Sequence, residues 1–242
     1  MSFLLLLLFA EAGFAQKTVQ VKVTISVSKE MYPHFIKGGR LLLHIIKPNS
    51  SEPRNKLETT IGITPDDWDG SRDFVIDTKS KVVLINGLEK TKGGPNDKLY
   101  CKVVYKQNRD DGNENAAGNL ISEEDSMTVS TKTIHLVLGA VMTPTSIVEN
   151  RFVKVVQINS KYLSDFFGRT RTLKASILLP STYFDNPGKS YPICYRAPGL
   201  NGRYDQINGM MNKKDFTDWW FGKDAPQVIY VFLDSQGPYG DT

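Results

Sequence analysis

Alternation of apolar and polar residues is clearest near the start of the chain, over residues 18–27. Apolar side chains there share one face and polar side chains the other, which predicts a half-buried strand. The apolar positions are Val19, Val21, Val23, Ile25 and Val27. Shorter strand-like runs, separated by segments rich in turn-forming residues, follow at 39–46, 73–76, 82–84, 99–106 and 131–138. Short strands with turn signals between them predict an immunoglobulin-like β-sandwich domain over residues 17–141.

The pattern changes in the second half of the chain. We interpret residues 142–151 as a linker and residues 152–242 as a second domain. Its strand-like runs lie at 152–158, 173–179, 192–195 and 228–233. The last run is apolar without alternation, which is typical of strands buried on both faces of a parallel sheet. A helical pattern precedes it, with Phe216, Trp219 and Trp220 on one face, so we expect a strand–helix–strand unit in which the indoles pack on the sheet.

Composition excludes several classes of protein. The 242 residues include 30 basic and 26 acidic side chains, and a net charge of +4 without a basic cluster does not indicate nucleic-acid binding. Two cysteines, Cys101 and Cys194, cannot form a disulfide scaffold or a four-cysteine zinc site, and we expect two buried thiols. The three histidines, His34, His44 and His135, are few for a metalloenzyme. We therefore expect no metal and no cofactor.

The first residues have the character of an export signal. An apolar run over 4–10 is followed by Gly13 and Ala15, small residues that fit cleavage after position 15. The run is shorter than the ~20 apolar residues that cross a bilayer, so no membrane span is expected. We interpret residues 1–15 as a signal peptide and expect a periplasmic or secreted protein. A buried first strand is the alternative interpretation.

Two polar features of the first domain have competing interpretations. Residues 109–115 carry carboxylates that calcium would accept, but their spacing does not fit an EF-hand, and we favour a solvated hairpin loop. Trp68 and Tyr32 could stack on a sugar, whereas a core role for Trp68 is the interpretation we favour.

Five segments of the second domain carry a resemblance when taken in order and spacing. They are Ser160-x-x-Leu163-x-x-Phe166-x-Gly168, the run 174–183 (KASILLPSTY), the run 191–195 (YPICY), the turn 198–202 (PGLNG) and Val231-x-Leu233-Asp234. Together they resemble the start of the catalytic domain in the enterochelin-esterase-like branch of the α/β-hydrolases. The resemblance implies a three-layer αβα fold with a parallel sheet, often preceded by a β-sandwich. It also implies a serine hydrolase acting on carboxylic esters, with a small-molecule or glycan-linked ester as substrate.

The same resemblance implies roles for the loops that follow two of the strands. Leu200 would donate its backbone N–H to an oxyanion, and Gly199 would give clearance. Asn201, Gly202, Asp234 and Tyr239 would line the substrate cleft.

The catalytic triad of such an enzyme is missing from the sequence. There is no Gly-x-Ser-x-Gly motif, and no histidine follows His135. We therefore expect the chain to carry the N-terminal part of a hydrolase domain and to be inactive by itself. The alternative is a carbohydrate- or partner-binding β-sandwich module with a non-catalytic α/β remnant.

Overall fold

The computed structural model describes residues 22–47, 56–77, 84–86, 98–128, 133–197, 199, 202–237 and 240–241. The chain divides into two compact units. Unit 1 contains the residues up to 105 together with 120–140, and unit 2 contains 106–119 together with 141–242. The predicted signal peptide lies outside the described residues.

Unit 1 is built from nine described strands and one short 3-10 helix at Lys29–His34. The strands are β1 (Lys22–Val27), β2 (Arg40–Lys47), β3 (Lys56–Ile63), β4 (Phe74–Asp77), β5 (Leu84–Asn86), β6 (Lys98–Lys106), β7 (Leu120–Ser122), β8 (Asp125–Thr128) and β9 (Thr133–Val141). They form one sheet in the order β4-β1-β9-β7-β6-β2-β3-β5, and β8 also pairs with β6. The pair β1/β9 is parallel, whereas β1/β4, β2/β3 and β6/β7 are antiparallel.

The predicted immunoglobulin-like sandwich is therefore wrong. A sandwich needs two sheets facing each other, and the described strands of unit 1 are joined into a single mixed sheet. The alternation in β1 did identify the buried face, because Val23, Ile25 and Val27 are all at most 5% exposed. Alternation shows which face a strand buries, but it does not show which strand lies beside it.

An aromatic cluster holds the core of unit 1. Trp68 is 2% exposed, and its Nε1 donates to the Arg72 carbonyl at 2.7 Å. The rings of Phe35 and Tyr105 stack at 4.8 Å, and Trp68 meets both rings edge-on. Burial with a satisfied indole N–H makes Trp68 a core residue, so it offers no surface on which a sugar could stack. Tyr32, the other candidate for sugar stacking, is exposed.

Unit 2 contains six described strands and three helices of six or seven residues. They are β10 (Val153–Asn159), α1 (Lys161–Phe167), β11 (Thr172–Leu178), β12 (Ile193–Arg196), α2 (Gln206–Met211), α3 (Lys214–Trp220), β13 (Ile229–Leu233), β14 (Gln236–Gly237) and β15 (Gly240–Asp241). The main sheet has the order β10-β11-β13-β12, and β14 pairs with β15. No described helix has the length and apolar character that crossing a bilayer requires.

The predicted three-layer αβα fold with a parallel sheet is also wrong. In the main sheet of unit 2 only β12 and β13 are parallel neighbours, since β11 runs antiparallel to both β10 and β13. Helix α1 ends at Gly168, whose left-handed φ of 64° starts a reversal of the chain. The Ser160 N–H then donates to the Arg171 carbonyl at 2.9 Å, which closes the connection. The chain consequently returns as an antiparallel strand instead of crossing over.

One crossover does occur, and it forms the core of unit 2. Helices α2 and α3 connect the parallel strands β12 and β13, which confirms the predicted strand–helix–strand unit. Trp220 is 3% exposed, packs with Phe232 in the same buried cluster and donates from Nε1 to the Leu179 carbonyl at 3.0 Å. Trp219 is half exposed, so only one of the two indoles is core.

The two cysteines differ in accessibility, which corrects the expectation of two buried thiols. Cys101 in β6 is fully buried, whereas Cys194 in the edge strand β12 is exposed. Burial, with the charges of Asp125 and Glu124 as smaller contributions, raises the pKa of the Cys101 thiol to about 12.

We predict that one thiol per native chain reacts rapidly with a disulfide reagent at mildly alkaline pH. Thiolate is the reactive form, so burial and the raised pKa both protect Cys101. Cys194→Ser should remove the fast reaction, and Cys101→Ser should leave it unchanged. Colorimetric thiol counting before and after addition of denaturant measures both. Two fast thiols in the native wild-type chain would contradict the assignment.

Candidate functional site

The segments that follow β12 and β13 leave the sheet on the same side. The two strands are parallel, so their carboxyl ends lie at one edge, and this is where ligands bind in sheets with parallel strands. Of the predicted site residues, Gly199 and Gly202 follow β12, and Asp234 follows β13. Leu200, Asn201 and Tyr239 lie outside the described residues.

A tight turn connects the two described glycines. The Gly202 N–H donates to the Gly199 carbonyl at 2.7 Å, and the Ser235 hydroxyl donates to the Gly202 carbonyl at 3.3 Å. A Cβ on Gly199 would meet no atom within 4 Å, so close packing does not require glycine there. The hydrogen bond from Ser235 connects the segment after β13 to the turn after β12.

A polar cleft of about 410 Å³ opens at this edge of unit 2. It is lined by residues from the segments 108–117, 143–145, 170–174 and 203–205, together with Gln157 and Asp234. Of its 17 lining residues, only Ala117 and Pro144 are apolar. Asp234 is thus the predicted cleft residue that the described structure places in the cleft wall.

Arg203 forms the centre of the cleft wall. Its Nη1 donates to Asp111 Oδ2, and its Nη2 and Nε lie 3.4 Å from the two carboxylate oxygens of Asp234. Burial alone would disfavour the guanidinium charge, but the hydrogen bond to Asp111 and the charge of Asp234 raise the pKa of Arg203 overall. A single cation therefore holds two carboxylates that would otherwise repel each other.

A second ion-pair cluster lies along another part of the same wall. Asp110 Oδ1 accepts from Arg169 Nε at 3.0 Å and from Arg171 Nη1. The Arg171 side chain is only 10% exposed, and its Nη2 donates to the Asp110 carbonyl at 3.2 Å. Together the two clusters fix the acidic segment against the arginines that precede β11 and α2.

Asparagine side chains hold the segment 106–119 in shape. Asn108 Oδ1 accepts from the backbone N–H groups of Asp110 and Asp111, as in an Asx-turn. Asn119 is fully buried, and its Oδ1 accepts from the N–H groups of Gln107 and Asn108. These side chains replace backbone partners that a loop lacks, and they present both aspartates to the cleft.

The interpretation of residues 109–115 as a solvated loop missed this role. Asp111 is 8% exposed and paired, not solvated. The described residues contain no cluster of His, Cys, Asp or Glu that could hold a metal ion. The signal available in the sequence was a complementarity of charge between Asp110-Asp111 and Arg169-x-Arg171, which does not by itself indicate pairing.

A serine–histidine hydrogen bond is present in unit 1. Ser26 on β1 and His135 on β9 lie side by side, with Ser26 Oγ 3.0 Å from His135 Nε2. His135 also lines a shallow cleft of about 520 Å³ with the acidic residues Glu123, Glu124 and Asp125. The spacing suits a nucleophile and its base, but the pair is exposed on the sheet surface, where water competes for both groups.

Comparison with known proteins adds no identity to these features. No protein-family model, no curated protein and no solved structure matches the chain. The arguments on function therefore rest on the geometry of the described residues.

Asp234 provides a test of the electrostatics of the cleft. Burial raises the pKa of Asp234, and the opposing charge of Arg203 offsets only part of that effect. A raised carboxyl pKa means that the folded state binds the proton more tightly than the unfolded state. The corresponding stability is complete below the ordinary value of 3.8 and is lost as the pH rises through the folded-state pKa.

We predict that Asp234→Asn gains stability relative to wild type as the pH rises through this window. The asparagine has no proton to lose, so the variant escapes the wild-type decline. Urea unfolding at acidic and at neutral pH gives the two free-energy differences, and Asp224→Asn, which removes an exposed carboxylate of unit 2, is the control. A relative stability that falls with pH would show that Arg203 dominates and that the direction is wrong.

Proposed function

We propose that the chain binds a small polar molecule in the polar cleft of unit 2. The observation that carries this proposal is the composition of the wall, in which 15 of 17 residues are polar or charged around about 410 Å³. This volume is in the range of small-molecule sites. An apolar ligand would strip water from these groups without replacing its hydrogen bonds, which is costly.

The way the cleft is held supports the proposal. Its charged residues are paired to each other, with Arg203 between Asp111 and Asp234 and with Arg171 on Asp110. A binding group whose position is already fixed loses less entropy when the ligand arrives. The wall also stands at the carboxyl ends of the parallel strands, where loops can contact a ligand without disturbing the sheet.

A second candidate function is serine ester hydrolysis by an exported protein. The observation that favours it is the Gly199–Gly202 turn after β12, since the resemblance expects oxyanion donors in this turn. Hydrolysis also requires a nucleophile and a histidine. All three histidines fall within the residues of unit 1, so unit 2 has no base of this type. In this proposal the chain contributes the side of the site that holds the substrate.

We predict that filling the cleft abolishes binding of small polar molecules. Thr145 is exposed and lines the cleft, so Thr145→Trp should occupy its space without removing a described hydrogen bond. Ser146→Trp is the matched control, because Ser146 is its exposed neighbour outside the lining. Ligand-detected NMR with a library of neutral and charged polar fragments measures binding to each full-length chain.

Fragments should bind wild type and Ser146→Trp and should fail to bind Thr145→Trp. The proposal would be wrong if no polar fragment binds wild type, or if Thr145→Trp retains every fragment that wild type binds.

We also predict that the chain alone does not hydrolyse a chromogenic short-chain ester above background. Neither Ser235 nor Ser26 has a complete catalytic environment, since Ser235 lacks a histidine in its unit and Ser26 is exposed together with its histidine. Ser235→Ala and Ser26→Ala should therefore match wild type. A wild-type rate that Ser235→Ala abolishes would overturn the view that the nucleophile is missing.

A further inference from the structure

We infer that the polar cleft takes a neutral polyhydroxylated ligand, of the chemical class of a mono- or disaccharide. The inference rests on the proposed binding function of unit 2 and names the ligand that this cleft suits. It differs from the sequence-based idea of a sugar-binding β-domain, because the buried Trp68 cannot serve as its platform.

The charge balance of the wall argues against a charged ligand. The lining contains three cationic side chains, Arg171, Lys174 and Arg203. It contains four carboxylates, Asp110, Asp111, Asp205 and Asp234. An anion would approach more like charges than opposite ones, and a cation would meet three positive groups. A net charge on the ligand therefore finds no surplus partner here.

The ion pairs inside the wall strengthen this argument. Both arginines already face carboxylates, so an anionic ligand would have to compete with Asp110, Asp111 or Asp234 for them. Breaking a partly buried pair leaves an uncompensated charge, which is unfavourable. A neutral ligand instead uses the donors and acceptors that the pairs leave over.

Hydroxyl groups suit those remaining donors and acceptors. Each hydroxyl both donates and accepts, so neighbouring hydroxyls on a sugar ring can donate to a carboxylate and accept from a guanidinium of the same pair. Asn115, Gln157 and Thr145 supply neutral partners of both types. Lys174 provides a further donor next to Tyr204, whose ring centroid is 6.0 Å from Lys174 Nζ.

Tyr204 contributes in a second way. Burial, together with the negative charge of Asp234, raises the pKa of Tyr204, so its hydroxyl keeps its proton and remains both donor and acceptor. Its ring is a half-buried aromatic surface in a wall that is otherwise polar. Carbon-bound hydrogens of a sugar ring can pack on such a surface while the hydroxyls meet the ion pairs.

Unit 2 also tolerates unsatisfied polar atoms at this wall. In the described part of unit 2, the buried side-chain atoms that lack a hydrogen-bond partner are Arg171 Nε and Asp234 Oδ1. Both belong to residues of the cleft wall. Such atoms reduce stability, and their concentration at one cleft is expected where a site is kept for binding.

The test uses the full-length chain and titrates it with maltose, cellobiose, lactose and sucrose, and with glucose, glucuronate and glucosamine. Isothermal titration or saturation-transfer NMR measures binding. At least one neutral sugar should bind saturably to wild type and to Ser146→Trp, and at least tenfold more weakly to Thr145→Trp. Glucuronate and glucosamine should bind more weakly than glucose.

A charge change provides a readout that a folding defect would not give. Asp205 caps α2 without a side-chain hydrogen bond, so Asp205→Lys changes the cleft charge by two without removing such a bond. The variant should bind glucuronate several-fold more tightly than wild type does and should keep its affinity for the neutral sugar. A circular dichroism spectrum and melting curve like those of wild type establish that it folds.

The outcomes separate this inference from the proposed function. If polar fragments bind in the cleft but no neutral sugar does, or if glucuronate or glucosamine binds wild type at least as tightly as glucose, the polyol inference is overturned and the binding function stands. If no fragment and no sugar binds, both fail. Equal sugar affinity in Thr145→Trp and wild type places the sugar outside the cleft and also overturns the inference.

Discussion

The contact between Arg203 and its two carboxylates is the constraint on which the site in unit 2 depends. Asp111 comes from the segment between β6 and β7, and Asp234 follows β13, so one guanidinium holds two distant parts of the chain. All three side chains are largely buried, and removing one partner of such a pair costs about 3–5 kcal/mol when burial is complete. The site therefore exists only while all three groups are in place. The same contact explains why the raised pKa of Asp234 and the pairing of Arg203 cannot be separated.

Some features of the fold follow directly from local pattern. The alternation in β1 identified Val23 and Ile25 as buried, and the spacing of aromatic residues before β13 identified a helix that packs Trp220 on the sheet. Both depend on the periodicity of a single element, which the sequence displays. The fold class was wrong for a related reason. Strand direction and strand neighbours depend on connections such as the reversal at Gly168, and hydrophobic pattern does not specify these.

The candidate site shows the same division. Asp234 was expected in a cleft because it follows an apolar strand, and it does line one. Its partners were missed because Asp111 lies 92 residues from Arg203 along the chain, and Asp110 lies 61 residues from Arg171. An acidic stretch in a polar, turn-rich segment has the composition of a solvated loop whether or not it has cationic partners. Only the folded arrangement distinguishes a paired aspartate from a hydrated one.

The path of the backbone has a consequence for any attempt to divide this protein. Residues 106–119 leave the strands of unit 1 to become part of unit 2, and the chain then returns to unit 1 for 120–140. A single cut at residue 141 would thus produce a C-terminal piece in which Arg169, Arg171 and Arg203 have lost Asp110 and Asp111. The genetic order and the physical unit do not coincide. Swapping this region between proteins would require two separate stretches of sequence to be moved together.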